Sequence, residues 1–365
     1  MINNIDVRNF KSIKKVSVEL SALNIVAGAN GSGKSTLLQT ILLLKQSDSE
    51  NRSGMVHLNG PFVQLGDVQA VHHKWASSED LTIEYSFSDG SQKVIHKEVS
   101  TSSDAETLPI LRGPKSSFTS DSIRYLSANR VVPADIYMYS SDRNRRRDIG
   151  VNGEFAVAYL SQNLKKPIPI QALDHADSGA FGIRGTFEAN VNAWMQGISH
   201  DVTIDAVKLE GMSASRLTYG YGSEDALSGV SSFNVGFGIT YALPVIVMVL
   251  SAKPGDILLI ENPEAHVHPK GQVLLGHFLA LAAASGLQII VETHSDHIFN
   301  GMRLFIKQKK MAGRRYAFYY VQRQRNGEGG FNSVFSRVQL FADAKIKRAP
   351  VGFFDDWENT ILSLL

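Results

Sequence analysis

The chain of 365 residues contains no cysteine. This absence excludes a disulfide framework and a thiolate metal site, and it is typical of proteins that are kept in a reducing compartment. We therefore expect the protein in the cytoplasm.

The sequence also has no long apolar segment. Its longest apolar run, residues 239–250, contains Pro244 and is shorter than the roughly 20 residues that a spanning helix needs. The first residues show no basic segment followed by an apolar core, so a signal peptide is not expected. These features predict a soluble protein without a membrane partner.

Neither sign of charge is in excess. The formal net charge is +2, with 43% hydrophobic and 20% charged residues, as in an ordinary globular protein. A balanced charge gives no global argument for nucleic-acid binding, so any such argument must be local. The length allows a large core, either in one α/β domain with an insertion or in two domains.

What the sequence does contain is a complete phosphate-binding motif, G-x-x-x-x-G-K-[ST], beginning at Gly28. An apolar run precedes it at 23–27 and another follows at 37–44, which predicts the order strand, loop, helix. The glycines let backbone N–H groups face a phosphate, Lys34 can reach the β and γ oxygens, and Ser35 can bind Mg²⁺. We expect a nucleotide to bind at Asn30, Gly31, Ser32, Gly33, Lys34, Ser35 and Thr36.

The hydrophobic pattern divides the chain into three parts. Alternating residues predict strands in the first part, with a hairpin turn at Asp89-Gly90. A less regular middle part, with helical patterns at 155–163 and 187–198, is interpreted as an insertion. From residue 235 onward helices and strands alternate, which favours a parallel sheet covered by helices. The predicted parts are 1–130, 131–211 and 212–365.

Residues 256–269, DILLIENPEAHVHP, resemble the Walker B strand and D-loop of ABC/SMC-type ATPases, in particular the RecF-like and overcoming-lysogenization-defect-like branch. In that family the first acidic residue holds Mg²⁺ through water and the second polarises the attacking water. Glu261 takes the first role, whereas Asn262 occupies the second position. Glu264 is the only nearby carboxylate that could substitute, although Pro263 is expected to direct the chain away from the strand.

Residues 291–295, VETHS, are similar to the switch segment of the family, whose histidine senses the γ-phosphate. The resemblance therefore implies catalytic roles for Glu261, Asn262, Glu264 and His294. It implies ATP and Mg²⁺ as cofactors, with Ser35 and Glu261 at the metal.

Other segments resemble the family less directly. Residues 234–240 precede the Walker B strand as the signature motif does, which implies nucleotide contacts for Asn234, Gly236 and Gly238, in a register that stays open. Gln64 or Gln69 is the candidate Q-loop glutamine. Residues 125–130 resemble a strand-end arginine motif of this branch. Residues 350–357 resemble the closing segment of an uncharacterised ATPase subfamily that is associated with bacterial defence.

The resemblance implies an α/β fold, namely an ABC-type P-loop ATPase head with an antiparallel N-terminal β subdomain and a mainly helical insertion. Sites of this family are split between two heads, which implies an ATP-dependent head-to-tail homodimer or a multiple of it. It also implies that the ATPase gates a partner nuclease or toxin in anti-phage defence. Because an amide cannot accept a proton from water, Asn262 predicts slow hydrolysis.

Two other classes remain open. A DNA-repair or recombination ATPase would act on nucleic acid directly, and a transporter subunit would carry a clearer signature motif. A cluster of four arginines could bind phosphates, although a solvated loop balanced by nearby aspartates is the commoner arrangement. These arginines are Arg143, Arg145, Arg146 and Arg147. The scattered histidines form no tetrahedral set, so no metal other than Mg²⁺ is expected.

Overall fold

A computed structural model describes most of the chain. The described residues are 1–49, 54–99, 105–111, 120–200, 202–221, 229–309, 315–327 and 329–354. Residues 355–357 of the predicted closing segment therefore lie outside the described residues.

The described strands are numbered in chain order. They are β1 (Ile2–Phe10), β2 (Ile13–Glu19), β3 (Leu23–Gly28), β4 (Met55–His57), β5 (Asp80–Phe87), β6 (Gln92–Glu98), β7 (Thr107–Leu111), β8 (Ile123–Leu126), β9 (Ile136–Met138), β10 (Val202–Lys208), β11 (Ala214–Tyr221), β12 (Val230–Ser231), β13 (Ile257–Glu261), β14 (Gln288–Thr293), β15 (Tyr316–Arg325), β16 (Phe331–Leu340) and β17 (Ile346–Arg348).

The described helices are numbered in the same way. They are α1 (Lys34–Ser49), α2 (Val68–Val71), α3 (Ser141–Arg145), α4 (Ala156–Asn163), α5 (Phe187–Ile198), α6 (Phe237–Leu250), α7 (Pro269–Ala284) and α8 (Asp296–Lys309). Short 3₁₀ turns lie at Ser120–Ser122, Gln171–Leu173, Ser178–Phe181 and Ser232–Asn234. Among the described residues, every helix is too short or too polar to cross a bilayer.

The chain forms two compact units, one of residues 1–123 with 312–365 and one of residues 124–311. This division differs from the three parts expected from the sequence, because the C-terminal strands return to the first unit. There β15 pairs in parallel with β3, and β16 and β17 follow in antiparallel order. Strand β3 is buried along its whole length and leads directly into the phosphate-binding motif.

The first unit also contains an antiparallel sheet in the order β2-β1-β5-β6-β7-β4. Strand β5 alternates between exposed or half-buried residues and buried ones, so one face packs on the core. The predicted hairpin turn between β5 and β6 is confirmed, with Gly90 at φ 82° and the Asp89 carboxylate accepting the Ser91 N–H. The predicted antiparallel N-terminal subdomain is thus present.

The second unit combines a parallel pair, β13 and β14, with the apolar helices α6 and α7 and the amphipathic helix α8. The predicted helices of the middle part are present as α4 and α5. The same part also contributes β9 and β10, which pair with β11 in a second antiparallel sheet that the sequence did not predict. The insertion is therefore helical and carries a sheet as well.

Candidate functional site

The phosphate-binding motif of the first unit adopts a conformation that only glycine accommodates easily. Gly28, Gly31 and Gly33 have φ values of 149°, 70° and 105°. A Cβ atom on Gly28 would lie 2.2 Å from the Val321 carbonyl oxygen, and one on Gly33 would lie 2.0 Å from Ser333 Oγ. The loop is therefore wrapped tightly against strands β15 and β16.

Polar side chains line this loop. Lys34 is the first residue of α1, is 4% exposed and donates from Nζ to the Ala29 carbonyl over 2.9 Å. Ser32 is also buried, and its Oγ makes no hydrogen bond within the described residues. Asn30 and Ser35 are exposed. A buried lysine, an orphaned hydroxyl and the amino end of a helix fit a phosphate group.

A serine network under the loop was not visible in the sequence. Ser333 donates from Oγ to the Ser32 carbonyl at 2.6 Å, and the same Oγ lies 2.7 Å from Ser12 Oγ, whose hydroxyl can donate to it. Ser12 in turn lies 3.2 Å from the Thr36 hydroxyl. Because these residues are up to 321 positions apart, only the folded chain shows that they support one loop.

The two Q-loop candidates lie in the first unit as well. Gln64 and Gln69 are both exposed. Gln69 lines a cavity of about 640 Å³, together with His72, His73 and other residues of the segment that follows α2. The structure shows a third glutamine, Gln46 of α1, that organises this region. Its side chain donates to the His57 carbonyl at 2.6 Å and accepts from the N–H groups of residues 62 and 63.

In the second unit, Glu261 ends β13 and is held by the end of β8 and the segment that follows it. Its Oε1 accepts from the Tyr125 hydroxyl at 3.0 Å and its Oε2 from the Ala128 N–H at 3.2 Å. Arg130 donates to the Glu261 carbonyl at 2.7 Å. The strand-end segment at 125–130 thus positions Glu261, the predicted metal ligand, through three hydrogen bonds.

The chain after Glu261 turns sharply. Asn262 has φ 43°, a left-handed conformation that asparagine tolerates better than most residues, and its N–H donates to the Glu292 carbonyl at 2.8 Å. The chain leaves the strand direction here, as expected, but Glu264 still accepts from the backbone N–H of His294 at 2.8 Å. The structure therefore brings the spare carboxylate to the predicted switch histidine.

Burial controls the proton affinity of these groups. Burial raises the pKa of Glu264. The hydrogen bond from the His294 N–H and the charge of Arg130 lower this pKa but only partly offset the effect of burial. Burial also lowers the pKa of Arg130 to about 10, although the nearby Glu261 carboxylate acts in the opposite direction. Glu264 Oε2 and Asn262 Oδ1 are buried and have no hydrogen-bond partner in the described part of the chain.

The signature-like segment lies against the turn that follows Pro263. Gly236 caps α6, and a Cβ on Gly238 would lie 2.4 Å from the His266 carbonyl oxygen. The His266 ring packs edge-on against Tyr241 at 4.7 Å between ring centres. Asn234 is exposed at the end of the preceding 3₁₀ turn.

The arginine cluster is largely neutralised by its surroundings. Arg143 pairs with Asp148 at 2.8 Å, and Arg147 pairs with Asp256, whose side chain is 7% exposed. Arg146 lies 3.2 Å from Asp142. At least two of the four arginines therefore serve the structure of the second unit, which weakens the phosphate-binding interpretation.

Within the described residues, no group of three or more histidine, aspartate or glutamate side chains is arranged to hold a metal ion. A Mg²⁺ bound with a nucleotide takes only one or two protein ligands and completes its shell with water and phosphate. Ser35 and Glu261 have the oxygen chemistry that such an ion requires.

Two family models match the chain. The model of the “AAA ATPase domain” matches residues 1–149. The model described as “AAA domain, putative AbiEii toxin, Type IV TA system” matches residues 116–300. A search of curated proteins finds no match.

Similar solved structures are heads of SMC proteins. The crystal structure of the SmcHead bound to the C-winged helix domain of ScpA is 13% identical, with a TM-score of 0.52 over 92% of this chain and 97% of that one. The SMC head domain from Thermotoga maritima is 11% identical, with a TM-score of 0.46 over 93% and 99%. An Smc head with an extended coiled coil, bound to the C-terminal domain of ScpA derived from Pyrococcus furiosus, is 14% identical, with a TM-score of 0.47 over 92% and 96%. The first of these shows that the chain has the α/β fold of an SMC head, so the predicted fold class is confirmed.

Proposed function

The chain belongs to the family described as “AAA domain, putative AbiEii toxin, Type IV TA system”, and on this basis we propose that it is an ABC-type ATPase that binds ATP with Mg²⁺ and hydrolyses it slowly. The observation that carries this proposal is the conformation of the loop from Gly28 to Thr36. Three positive φ values, a buried Lys34 and the start of α1 together form a phosphate site.

The predicted phosphate-binding and metal-binding residues each have a role in this proposal. Backbone N–H groups of residues 30–36 and the ammonium of Lys34 hold the phosphates. The Ser35 hydroxyl and the Glu261 carboxylate would hold Mg²⁺, which would supply positive charge to neutralise the charge on the transferred phosphoryl group. Tyr125, Ala128 and Arg130 keep Glu261 oriented.

We assign the polarisation of the attacking water to Glu264 rather than to Asn262. The amide of Asn262 can orient water by hydrogen bonding but cannot take its proton. Glu264 has a buried oxygen without a hydrogen-bond partner in the described chain, and its other oxygen contacts the switch segment. Because Glu264 lies two residues beyond the position where the family resemblance expects the second carboxylate, we expect turnover well below the typical value of about 10 per second.

We further propose that ATP joins two copies head to tail. Gly236 and Gly238 start α6 with an exposed amino end, and a second copy could bring its nucleotide phosphates to this end. Binding free energy alone then shifts the equilibrium between separate and joined heads, so slow hydrolysis suffices for a switch.

The joined heads would gate a partner effector, a nuclease or toxin, in bacterial anti-phage defence. The family description, which names a toxin of a type IV TA system, supports this role. The SMC head of similar fold was solved with a bound domain of ScpA, which supports the general idea that such a head carries a protein partner.

Replacement of Lys34 tests the proposed function. Lys34→Ala removes the cation that faces the phosphates, and we expect calorimetry to show loss of tight ATP binding. Lys15→Ala removes an exposed lysine of β2 and serves as the matched control. Equal ATP affinity in Lys34→Ala and in the parent protein would contradict the proposal.

A further inference from the structure

Strand β15 extends beyond the end of its parallel neighbour. It pairs with β3 from Tyr316 opposite Leu23 to Val321 opposite Gly28, where β3 ends and the phosphate-binding loop begins. Four more residues of β15 follow, up to Arg325. In sheets of this kind ligands bind beyond the carboxyl ends of the parallel strands. The last four residues of β15 therefore lie beside the phosphate-binding loop.

The returning strand β16 fixes the direction of these residues. Arg323 lies directly opposite Ser333, so their side chains share one face, with Cβ atoms about 4.5–5.5 Å apart. Ser333 contacts the loop itself. Its Oγ donates to the Ser32 carbonyl and lies so close to Gly33 that a Cβ atom on that glycine would be 2.0 Å away. Arg323 consequently lies on the face of the hairpin that supports the loop, and Arg325 follows on the same face.

Both guanidinium groups are exposed, and within the described residues neither forms an ion pair with a carboxylate. They lie over the ring of Phe331, at 4.3 Å for Arg323 and 5.8 Å for Arg325. Stacking on an aromatic ring orients an arginine while leaving its N–H groups available. By contrast, Arg337 on the same strand pair is neutralised by Glu19 at 2.7 Å.

The tip of this hairpin is held firmly. Gly330 packs so closely under Trp75 that a Cβ would lie 2.3 Å from the indole ring. The His73 ring contacts the Asn332 side chain at 2.9 Å. These contacts therefore fix the hairpin whose strand β15 carries Arg323 and Arg325.

We propose that Arg323, oriented by Phe331 and assisted by Arg325, forms a cationic rim of the phosphate site and contacts a phosphate group of the bound nucleoside triphosphate. This inference rests on the proposed function. The planar fork of an arginine matches two oxygens of one phosphate, which a lysine cannot do. The site thus combines backbone N–H groups, Lys34 and an arginine from the far end of the sequence.

Calorimetric titration with ATP tests this rim. We expect Arg323→Ala to weaken ATP binding about 10-fold, as for loss of one charged hydrogen bond, and Phe331→Ala to weaken it less. Arg323→Gln keeps the length of the side chain without its charge, and it should behave like Arg323→Ala if folding is intact by circular dichroism. Arg337→Ala removes an exposed arginine of the same hairpin and is the control.

The outcomes separate this inference from the proposed function. If the parent protein binds no ATP, the proposed function fails. If the parent binds ATP and both Arg323 variants bind it equally well, the rim is rejected while the proposed function stands. A loss of the same size in Arg337→Ala would also reject the rim, because the effect would then be one of overall charge.

Discussion

The backbone N–H of His294 donates a hydrogen bond of 2.8 Å to Oε1 of Glu264. This contact joins the residue that follows β14, in the predicted switch segment, to the turn that follows β13. Any movement of His294 on binding a γ-phosphate would therefore act on the carboxylate that we assign to water polarisation. Sensing and hydrolysis would depend on the same hydrogen bond.

We expect Glu264→Gln to reduce phosphate release roughly 100-fold or more, the usual range for loss of a general base, while ATP affinity stays close to that of the parent. Steady-state phosphate release and calorimetry measure the two effects. Asn262→Ala is the matched control, because it removes the neighbouring polar group, and it should cost less. A rate that is unchanged in Glu264→Gln would show that the water is activated elsewhere.

Asn262→Glu restores a carboxylate at the position where the family resemblance expects one. We expect faster phosphate release, although a glutamate at φ 43° costs about 1–2 kcal/mol in backbone strain. Denaturation with urea reports this strain separately from the rate. A stable variant without any increase in rate would mean that position 262 does not reach the attacking water.

The raised pKa of Glu264 makes stability depend on pH. Because the folded-state pKa lies above the unfolded value, the group contributes stability below the unfolded pKa of about 4.3, and this contribution is lost as the pH rises through the folded pKa. We therefore expect the free energy of unfolding of the parent protein to fall as the pH is raised from 4 to 8. That of Glu264→Gln should not show this fall, so the variant gains stability relative to the parent as the pH rises. Urea denaturation of both proteins at several pH values measures this difference, and parallel curves would argue against a raised pKa.

Two arginines of one loop should differ strongly in their effect on stability. Arg147→Ala leaves Asp256 buried without its cation, so we expect a loss of about 3 kcal/mol, the lower end of the range for breaking a buried pair. Arg145→Ala removes a side chain that is 78% exposed and 4.0 Å from Asp142, and it should change stability by less than about 0.5 kcal/mol. Chemical denaturation compares them, and similar losses would mean that the buried pair is not important.

Much of the fold could be predicted because its periodic segments are long and apolar. The helix predicted at 187–198 has the bounds that the structure shows. Strand β10 was overlooked although Val202, Ile204 and Ala206 alternate with polar residues. Its partner β9 has only three residues, and such a short edge strand gives no periodic signal.

The candidate site was predicted where one segment of sequence carries it, as in the phosphate-binding loop. Contacts between distant segments could not be predicted. Ser12, Ser333 and Arg323 have no motif of their own, and their positions follow from the pairing of β15 with β3 and β16. The position of Glu264 depended on one backbone angle at Asn262, which the following proline did not reveal.

The two glycines at the start of α6 give the last prediction, because they differ in the space around them. A Cβ on Gly238 would lie 2.4 Å from the His266 carbonyl oxygen, which is backbone and cannot rotate away. Gly238→Ala should therefore destabilise the protein by about 1–3 kcal/mol. Gly236 has φ −59° and nothing within 4 Å of an added Cβ, so Gly236→Ala should change stability by less than about 1 kcal/mol.

In the proposed head-to-tail dimer, the second copy would lie against the exposed side of Gly236. We expect light scattering with a non-hydrolysable ATP analogue to show a doubled mass for the parent protein but not for Gly236→Ala, since the added methyl group would occupy the path of the partner's phosphate. Because we expect Gly236→Ala to stay folded, its loss of dimerisation would not reflect instability, whereas a loss in Gly238→Ala could. Dimerisation of Gly236→Ala at the concentration that suffices for the parent would exclude Gly236 from the contact, and a parent mass that ATP does not change would reject the ATP-driven dimer itself.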